Sequence, residues 1–447
     1  MIQALLIPFA FAQSFVEEDA VILWEARGTG QFGWALSELA DIDGDGVMEV
    51  ISSAPYATGN SGEVVVLSGA SGEELHRFSG SFGAQLGFAI ADAGDVDGDG
   101  TTDIIAGAPN SGAGQARVWS GADGTLLFTL TGENAGDAAG FAVSSGGDMD
   151  GDGHSEVVVG APNWSSNTGR VYVFSGEDGS LMHTLEAEAA GDRMGSAVSP
   201  AGDVNGDGVP DVLVGARDAG ASRGGLAYVF SGADGSMLLG PLGGDPGDVD
   251  LGYFFVGHVG DVDGDSVGDL YVGDFSASTL GQNTGQAFVF SGADGATLHT
   301  FVGEAAGEGL GCGRGARDMD GDGVPDLAIG SWSDDGQAQD AGRVQVFSGA
   351  DGSVLRVFTN TAGGENFGFD AIGVGDVNGD GAGDLVASAA TADWVVMLAG
   401  TPPEVPEGDD TGIDPPDEKT GCATGPGGAW AALGALLMLG CRRRWEA

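Results

Sequence analysis

The chain has 447 residues, 86 of them Gly and 3 of them Cys, and sets 67 Asp plus Glu against 15 Lys plus Arg for a net charge of −52. A field of that sign makes nucleic acid and anionic membrane surfaces poor partners. Three cysteines, Cys312, Cys422 and Cys441, cannot frame a disulfide-held fold of this length, so burial and metal must hold it.

In chain order, residues 1–12 read MIQALLIPFAFA, an apolar run closing on Ala10-Phe11-Ala12. The small-x-small ending is that of a secretory signal, although no Lys or Arg opens it, and cleavage would leave Gln13 first. Next comes Ala20-Val21-Ile22-Leu23-Trp24-Glu25, a strand-like run with no partner nearby in the sequence.

From Asp41 the pattern Asp-x-Asp-Gly-Asp-Gly-x-x-Asp, complete at Asp95, recurs seven times with small changes. The copies start at Asp41, Asp95, Asp148, Asp203, Asp261, Asp318 and Asp376, at intervals of 54, 53, 55, 58, 57 and 58 residues. A fixed period of this size overrides a domain count from length alone. The first three copies offer Asp41, Asp43, Asp45 and Glu49; Asp95, Asp97, Asp99 and Asp103; and Asp148, Asp150, Asp152 and Glu156. The fourth and fifth offer Asp203, Asn205, Asp207 and Asp211, then Asp261, Asp263, Asp265 and Asp269. The last two offer Asp318, Asp320, Asp322 and Asp326, then Asp376, Asn378, Asp380 and Asp384.

Oxygen donors at positions 1, 3, 5 and 9, with Gly at 4 and usually 6 to let the backbone curl, suit a hard cation that takes six to eight oxygens, and point to about seven Ca²⁺ sites. Seven divalent ions would move the charge from −52 to −38. An EF-hand opens the same way but ends on a Glu at position 12 between two helices, whereas here β-rich sequence follows the acid at position 9.

Each unit reads as four short strands. In the clearest copy, strand A ends in the acidic loop, B is the run through Val157-Val158-Val159 closing on Gly160-Ala161-Pro162, C is Gly169–Phe174 and D is Leu181–Leu185. Asp178-Gly179 is a tight-turn dipeptide for a C–D hairpin, and Asp123-Gly124, Asp234-Gly235, Asp294-Gly295 and Asp351-Gly352 repeat it. Four antiparallel strands per unit make a propeller blade. The last unit has Thr401-Pro402-Pro403 in place of a D strand, so the orphan strand at residues 20–25 is expected to complete it. The fold class is therefore all-β, a seven-bladed β-propeller over residues 20–400 closed by its N-terminal strand. A solenoid with two free ends would leave the orphan unexplained.

The units resemble FG-GAP repeats of the integrin α-chain type. Phe32-Gly33, Phe141-Ala142 and Phe367-Gly368 carry the first half of the motif, and Gly107-Ala108-Pro109 and Gly160-Ala161-Pro162 the second. Later units drift to Gly215-Ala216-Arg217, Gly273-Asp274-Phe275 and Gly330-Ser331-Trp332, and Ser266 replaces the second loop Gly of the fifth, which is expected to be the weakest site yet occupied.

The A–B loops and C–D hairpins share one face, so the seven acidic loops lie together and their metal is expected to be structural. The resemblance implies ligand contacts on the opposite face, where the B–C connections carry Tyr56, Trp164, Arg217, Phe275 and Trp332, with Arg223 beside them. Rings at these places also serve simply to cover sheet ends. The five histidines do not converge in sequence, and no Gly-x-Ser-x-Gly, His-Glu-x-x-His or phosphate loop occurs, so no enzyme is expected.

Residues 401–421 open with a Pro-rich acidic stretch, read as an extended linker. Residues 422–447 hold Cys422, thirteen apolar or Gly residues from Ala429 to Cys441, and Arg442-Arg443-Arg444, which orients the propeller outward. This segment resembles the C-terminal sorting tails of myxobacterial surface proteins, which implies cleavage near Cys422 by a membrane sorting protease; a retained tail anchor is the alternative. The whole reads as a secreted, surface-anchored, calcium-binding propeller that mediates ligand binding or adhesion toward an extracellular protein or glycan; the alternatives are a structural component of the cell envelope and, behind it, a polysaccharide-processing enzyme.

Overall fold

The computed structural model describes residues 15–17, 19–186, 189–243 and 248–400. The expected signal (1–12), linker (401–421) and tail with Cys422 (422–447) lie outside the described residues. No helix among the described residues is long and apolar enough to cross a membrane.

Among these residues the strands form seven four-stranded antiparallel sheets. Blade 3 has strands A Ala142–Gly147, B Glu156–Ala161, C Arg170–Phe174 and D Leu181–Glu186, paired in that order. Blade 7 has Ala371–Gly375, Asp384–Ala389 and Trp394–Leu398, and its fourth strand is Ile22–Arg27 from the other end of the chain. Pairing runs from Ile22↔Leu398 to Arg27↔Trp394, so the ring is closed as the orphan strand implied, two residues further along than the sequence placed it.

The B strands explain why the units stand as blades. In all seven, from Glu49–Ala54 to Asp384–Ala389, every residue is buried, because both faces of the sheet meet a neighbouring blade. Their Val, Ile and Leu content suits a strand enclosed on both faces. The D strands lie at the rim: Leu181 at the start of one is 49% exposed and Leu185 near its end is 2%. The core is accordingly divided into clusters between blades. Leu39, Ile51 and Val64 of blade 1 pack on Ile90, Ile104 and Ala106 of blade 2, and equivalent clusters fill the other interfaces.

The register corrects one sequence assignment. Gly33 donates its N–H to the Ser53 carbonyl at 2.9 Å and Gly368 to Ser388 at 2.9 Å; in blade 3 the equivalent donor is Gly140, to Gly160 at 3.0 Å. The motif there is Ala139-Gly140, not Phe141-Ala142, and Phe141 stands where Trp34 and Phe369 stand. Gly is needed at this point: Gly33 has φ +89°, and a Cβ on it would lie 2.9 Å from the Ser388 Cβ.

An N-terminal arm adds to the seam. Phe15, 3% exposed, packs edge-on to Phe367 at 5.1 Å and beside Phe358 and Trp394, while the Val16 N–H donates to Thr359 O at 2.9 Å.

Candidate functional sites

Each acidic loop is a tight coil organised by its own carboxylates. In the first, Asp41 Oδ1 accepts the N–H of Gly44 at 2.7 Å and of Asp45 at 3.2 Å, and Oδ2 that of Gly46 at 2.9 Å. Asp43 Oδ1 accepts from Asp45 N, and Asp45 Oδ1 from Val47 N. Gly44 and Gly46 sit at φ +81° and +90°, which only Gly takes without strain. In the fifth loop Ser266 is held at φ +74° and makes the same bond, to Asp261 Oδ2 at 2.8 Å.

The position-9 acids occupy a second environment. Glu49, Asp103, Glu156, Asp211, Asp269, Asp326 and Asp384 are all 0% exposed. Each accepts one N–H from position 2 of its loop and one from a Gly at the end of strand C: Asp103 takes Val96 N at 2.8 Å and Gly121 N at 3.0 Å, and Asp384 takes Val377 N and Gly400 N, both at 2.8 Å. Burial raises the pKa of all seven above the ordinary carboxylate range against these hydrogen bonds, and Asp103 and Asp326 reach about 6. These side chains therefore tie the loop to the C–D hairpin while bordering the acids above. In three loops they come into a common cluster with them: Asp41, Asp43 and Glu49; Asp148, Asp150 and Glu156; Asp318, Asp320 and Asp326 offer oxygens within 4.8 Å of one another. Asp95, Asp97 and Asp99, and Asp261, Asp263 and Asp265, cluster in the same way. An all-oxygen anionic set of this kind fits a hard divalent cation.

The opposite face carries a cup that the sequence did not disclose. The residue after the blade-opening Gly is Trp34, Phe88, Phe141, Tyr253 or Phe369 in five blades; four of these rings line a common cavity, and in the fifth blade Phe254 does so with Tyr253 packed against it at 3.8 Å. Centroid contacts run Trp332–Phe369 (6.4 Å), Phe369–Trp34 (5.1 Å), Trp34–Phe88 (5.5 Å), Phe88–Phe141 (4.8 Å), Phe141–Phe254 (5.8 Å) and Phe254–Phe275 (6.4 Å). They surround a cavity of about 240 Å³. At its floor Arg314 Nη2 donates to both oxygens of Asp370, at 2.9 and 2.8 Å, and Asp370 also accepts Leu36 N at 2.9 Å.

Of the five residues expected to face a ligand, Phe275 and Trp332 line this cup. Tyr56 packs edge-on against Trp34 at 5.5 Å, and the Arg217 guanidinium lies 4.0 Å over the Tyr253 ring. Trp164 stands apart, stacked 3.6 Å from the Arg170 guanidinium and donating to Glu133 at 3.1 Å. The signal for the missed rings was an aromatic recurring directly after the motif Gly, at a place read as a landmark only.

Below the cup the inner strands surround a channel of about 590 Å³, with Glu38, Asp92, His258 and Arg317 among its lining. Burial, with a contribution from Glu38, pushes Asp92 up to about 6. A raised folded-state pKa means the ionised form destabilises the fold, a penalty present above pH 6 and lost as pH falls toward 4. Asp92→Asn keeps an acceptor for the Gly94 N–H, bonded at 2.7 Å in the native chain. It is expected to raise stability at pH 7.5 by up to about 3 kcal/mol and to leave it unchanged near pH 4. Urea melts at the two pH values check this, and an equal effect at both would remove the charge from the explanation.

A seven-bladed propeller with an acidic loop after each inner strand defines the class. The FG-GAP repeat family matches residues 32–67, 89–119, 139–174 and 194–230, so the chain is a seven-bladed β-propeller whose first four blades match FG-GAP repeats. It is similar to integrin alpha-V of Gallus gallus, 26% identical over 299 residues covering 60% of this chain and 26% of that protein. Integrin alpha-PS2 of Drosophila melanogaster is 29% identical over 232 residues (46% of this chain, 16% of that protein), and integrin alpha-5 of Xenopus laevis 31% over 216 (43% and 20%). The chain thus spans about a quarter or less of the length of these relatives.

Proposed function

We propose that this chain is a calcium-loaded propeller of the cell exterior that binds a protein or glycan ligand through the face opposite its acidic loops. The observation that carries this reading is the aromatic cup: rings left half-exposed around a 240 Å³ cavity are the kind of surface that anchors a partner. The acidic loops, in this reading, hold calcium through positions 1, 3 and 5 with position 9 behind them, and the ion cancels carboxylate repulsion and stiffens each A–B turn. The likeness to integrin alpha chains supports a binding or adhesive role in place of catalysis. Export by the N-terminal signal and anchoring through the tail, by cleavage near Cys422 or by retention, complete the proposal.

The test is binding of the calcium-loaded full chain to arrayed extracellular proteins and glycans, beside Trp34→Ala and Phe254→Ala. Saturable binding is expected to weaken at least about tenfold in either variant, as for interface aromatics generally. Binding that ignores both substitutions overturns the assignment of the face.

A further inference from the structure

The chain has few cations, 15 Lys plus Arg against 67 acids, yet blade 4 gathers three arginines around one carboxylate on the cup face. Asp218 Oδ2 lies 2.9 Å from Arg193 Nε, 3.9 Å from Arg223 Nη2 and 4.0 Å from Arg217 Nε. Among the described residues Asp218 is the one carboxylate within 4.0 Å of all three of these guanidinium groups. Two further contacts are to neutral acceptors: Arg193 Nη1 donates to Asn163 Oδ1 at 3.2 Å, and Arg223 Nη2 to the Gly191 carbonyl at 2.9 Å. Two more carboxylates stand close by: Asp192, which accepts the Ala189 N–H at 3.3 Å, and Asp250, near the Tyr253 phenol. The Arg223 side chain is 61% exposed.

The place of this cluster matters. Blade 4 is where the aromatic wall is interrupted: its motif is Met194-Gly195-Ser196, and Ser196, at the ring position, turns its hydroxyl to the Arg193 carbonyl at 2.6 Å. Ser196 lines the cup. The arginines therefore border the cup at the one blade whose motif sets Ser there among the aromatic walls and Cys312. Arg217 stacks on Tyr253, whose ring lies 3.8 Å from that of Phe254 in the cup wall.

We propose that this sector is a carboxylate-binding site for an acidic peptide. A partner's Asp or Glu is held by Arg193, Arg217 and Arg223, while an adjacent apolar side chain enters the cup across Ser196. The inference rests on the cup face being the ligand face and adds the chemistry of the ligand. Guanidinium forks match carboxylates in geometry and charge. A peptide is favoured over an acidic sugar by the cup itself: its polar lining is Ser196, Arg314 and Asp370, and the last two are bound to each other. A sugar ring would bury hydroxyls there without partners. The acidic loops do not cancel the attraction, because a blade strand of about six residues separates the faces by roughly 20 Å, beyond the screening length of about 8 Å in physiological salt.

The experiment is fluorescence anisotropy of the full chain in calcium with a fluorescein-labelled Gly-Asp-Phe-Glu-Gly peptide, its Gly-Lys-Phe-Lys-Gly counterpart and a heparin hexasaccharide. The acidic peptide is expected to bind, and Arg223→Glu to weaken it at least tenfold and raise affinity for the lysine peptide, with an unchanged melting temperature showing that the variant folds. Arg217→Glu is expected to act in the same direction. Equal affinity for the two peptides, indifference to Arg223→Glu, or arginine-dependent binding of the hexasaccharide alone would each overturn the proposal. Loss of acidic-peptide binding in Trp34→Ala with none in Arg223→Glu overturns the carboxylate site and leaves the cup as the ligand face; indifference to both overturns both.

Discussion

Adding calcium to the metal-stripped chain is expected to bind about seven ions and to raise the melting temperature by roughly 20 °C. The magnitude follows from the loops. A site saturated about a hundredfold above its dissociation constant contributes about 2.7 kcal/mol, provided the unfolded chain does not bind. The unfolded chain is a poor competitor here, since each loop is set by the same ladder of side-chain oxygens on backbone N–H groups, from the position-1 Asp and from a position-3 residue that is Asp in five loops and Asn in the fourth and seventh. Without a cation the carboxylates of positions 1 and 3 in the first, second, third, fifth and sixth loops lie within 4.8 Å of one another and repel. Calorimetry gives the stoichiometry and paired melts in calcium and chelator the shift. Ser266, held in the left-handed region, should make the fifth loop the last to fill. An unmoved melt with no heat of binding would sink the metal reading and leave the −52 charge without a structural reason.

Replacing Trp24 with Ala is expected to cost about 3–5 kcal/mol, the range for deleting a buried aromatic. The indole is 7% exposed in the cluster between blades 7 and 1, and its Nε1–H donates to Gly69 O at 2.6 Å, from the closing strand to the next blade's hairpin. It also covers Gly72, where a Cβ would meet the ring at 2.9 Å. Trp24→Phe, which keeps the ring and drops the donor, should recover all but about 1 kcal/mol. Denaturant melts in saturating calcium separate the two variants. A Trp24→Ala effect below about 1 kcal/mol would mean that the closing strand contributes little to stability.

The closing strand, the repeat and the acidic loops were legible because each is written locally: a fixed period, turn dipeptides and an unpaired strand at one end matching a missing strand at the other. The cup and the arginine cluster were not. Trp34 and Phe369 meet only once the ring has closed, and Arg193, Arg217 and Arg223 converge on Asp218 through two different connections. The misplaced Phe141-Ala142 shows the same limit, since a Phe beside a small residue imitates the motif and only the Gly140 hydrogen bond fixes the register. The position-9 acids were read as ligands alone; that they also accept the hairpin N–H depends on a Gly about twenty residues on, and no local pattern announces the pair.

The seam of the ring also bears on mechanics. The last strand of blade 7, Trp394–Leu398, is flanked on one side by Asp384–Ala389 and on the other by Ile22–Arg27. Tension drawn along it from the C-terminal side would shear two ladders at once, loading their hydrogen bonds in parallel in place of unzipping them singly. The N-terminal strand thus acts as a clasp on the strand that would bear such a load.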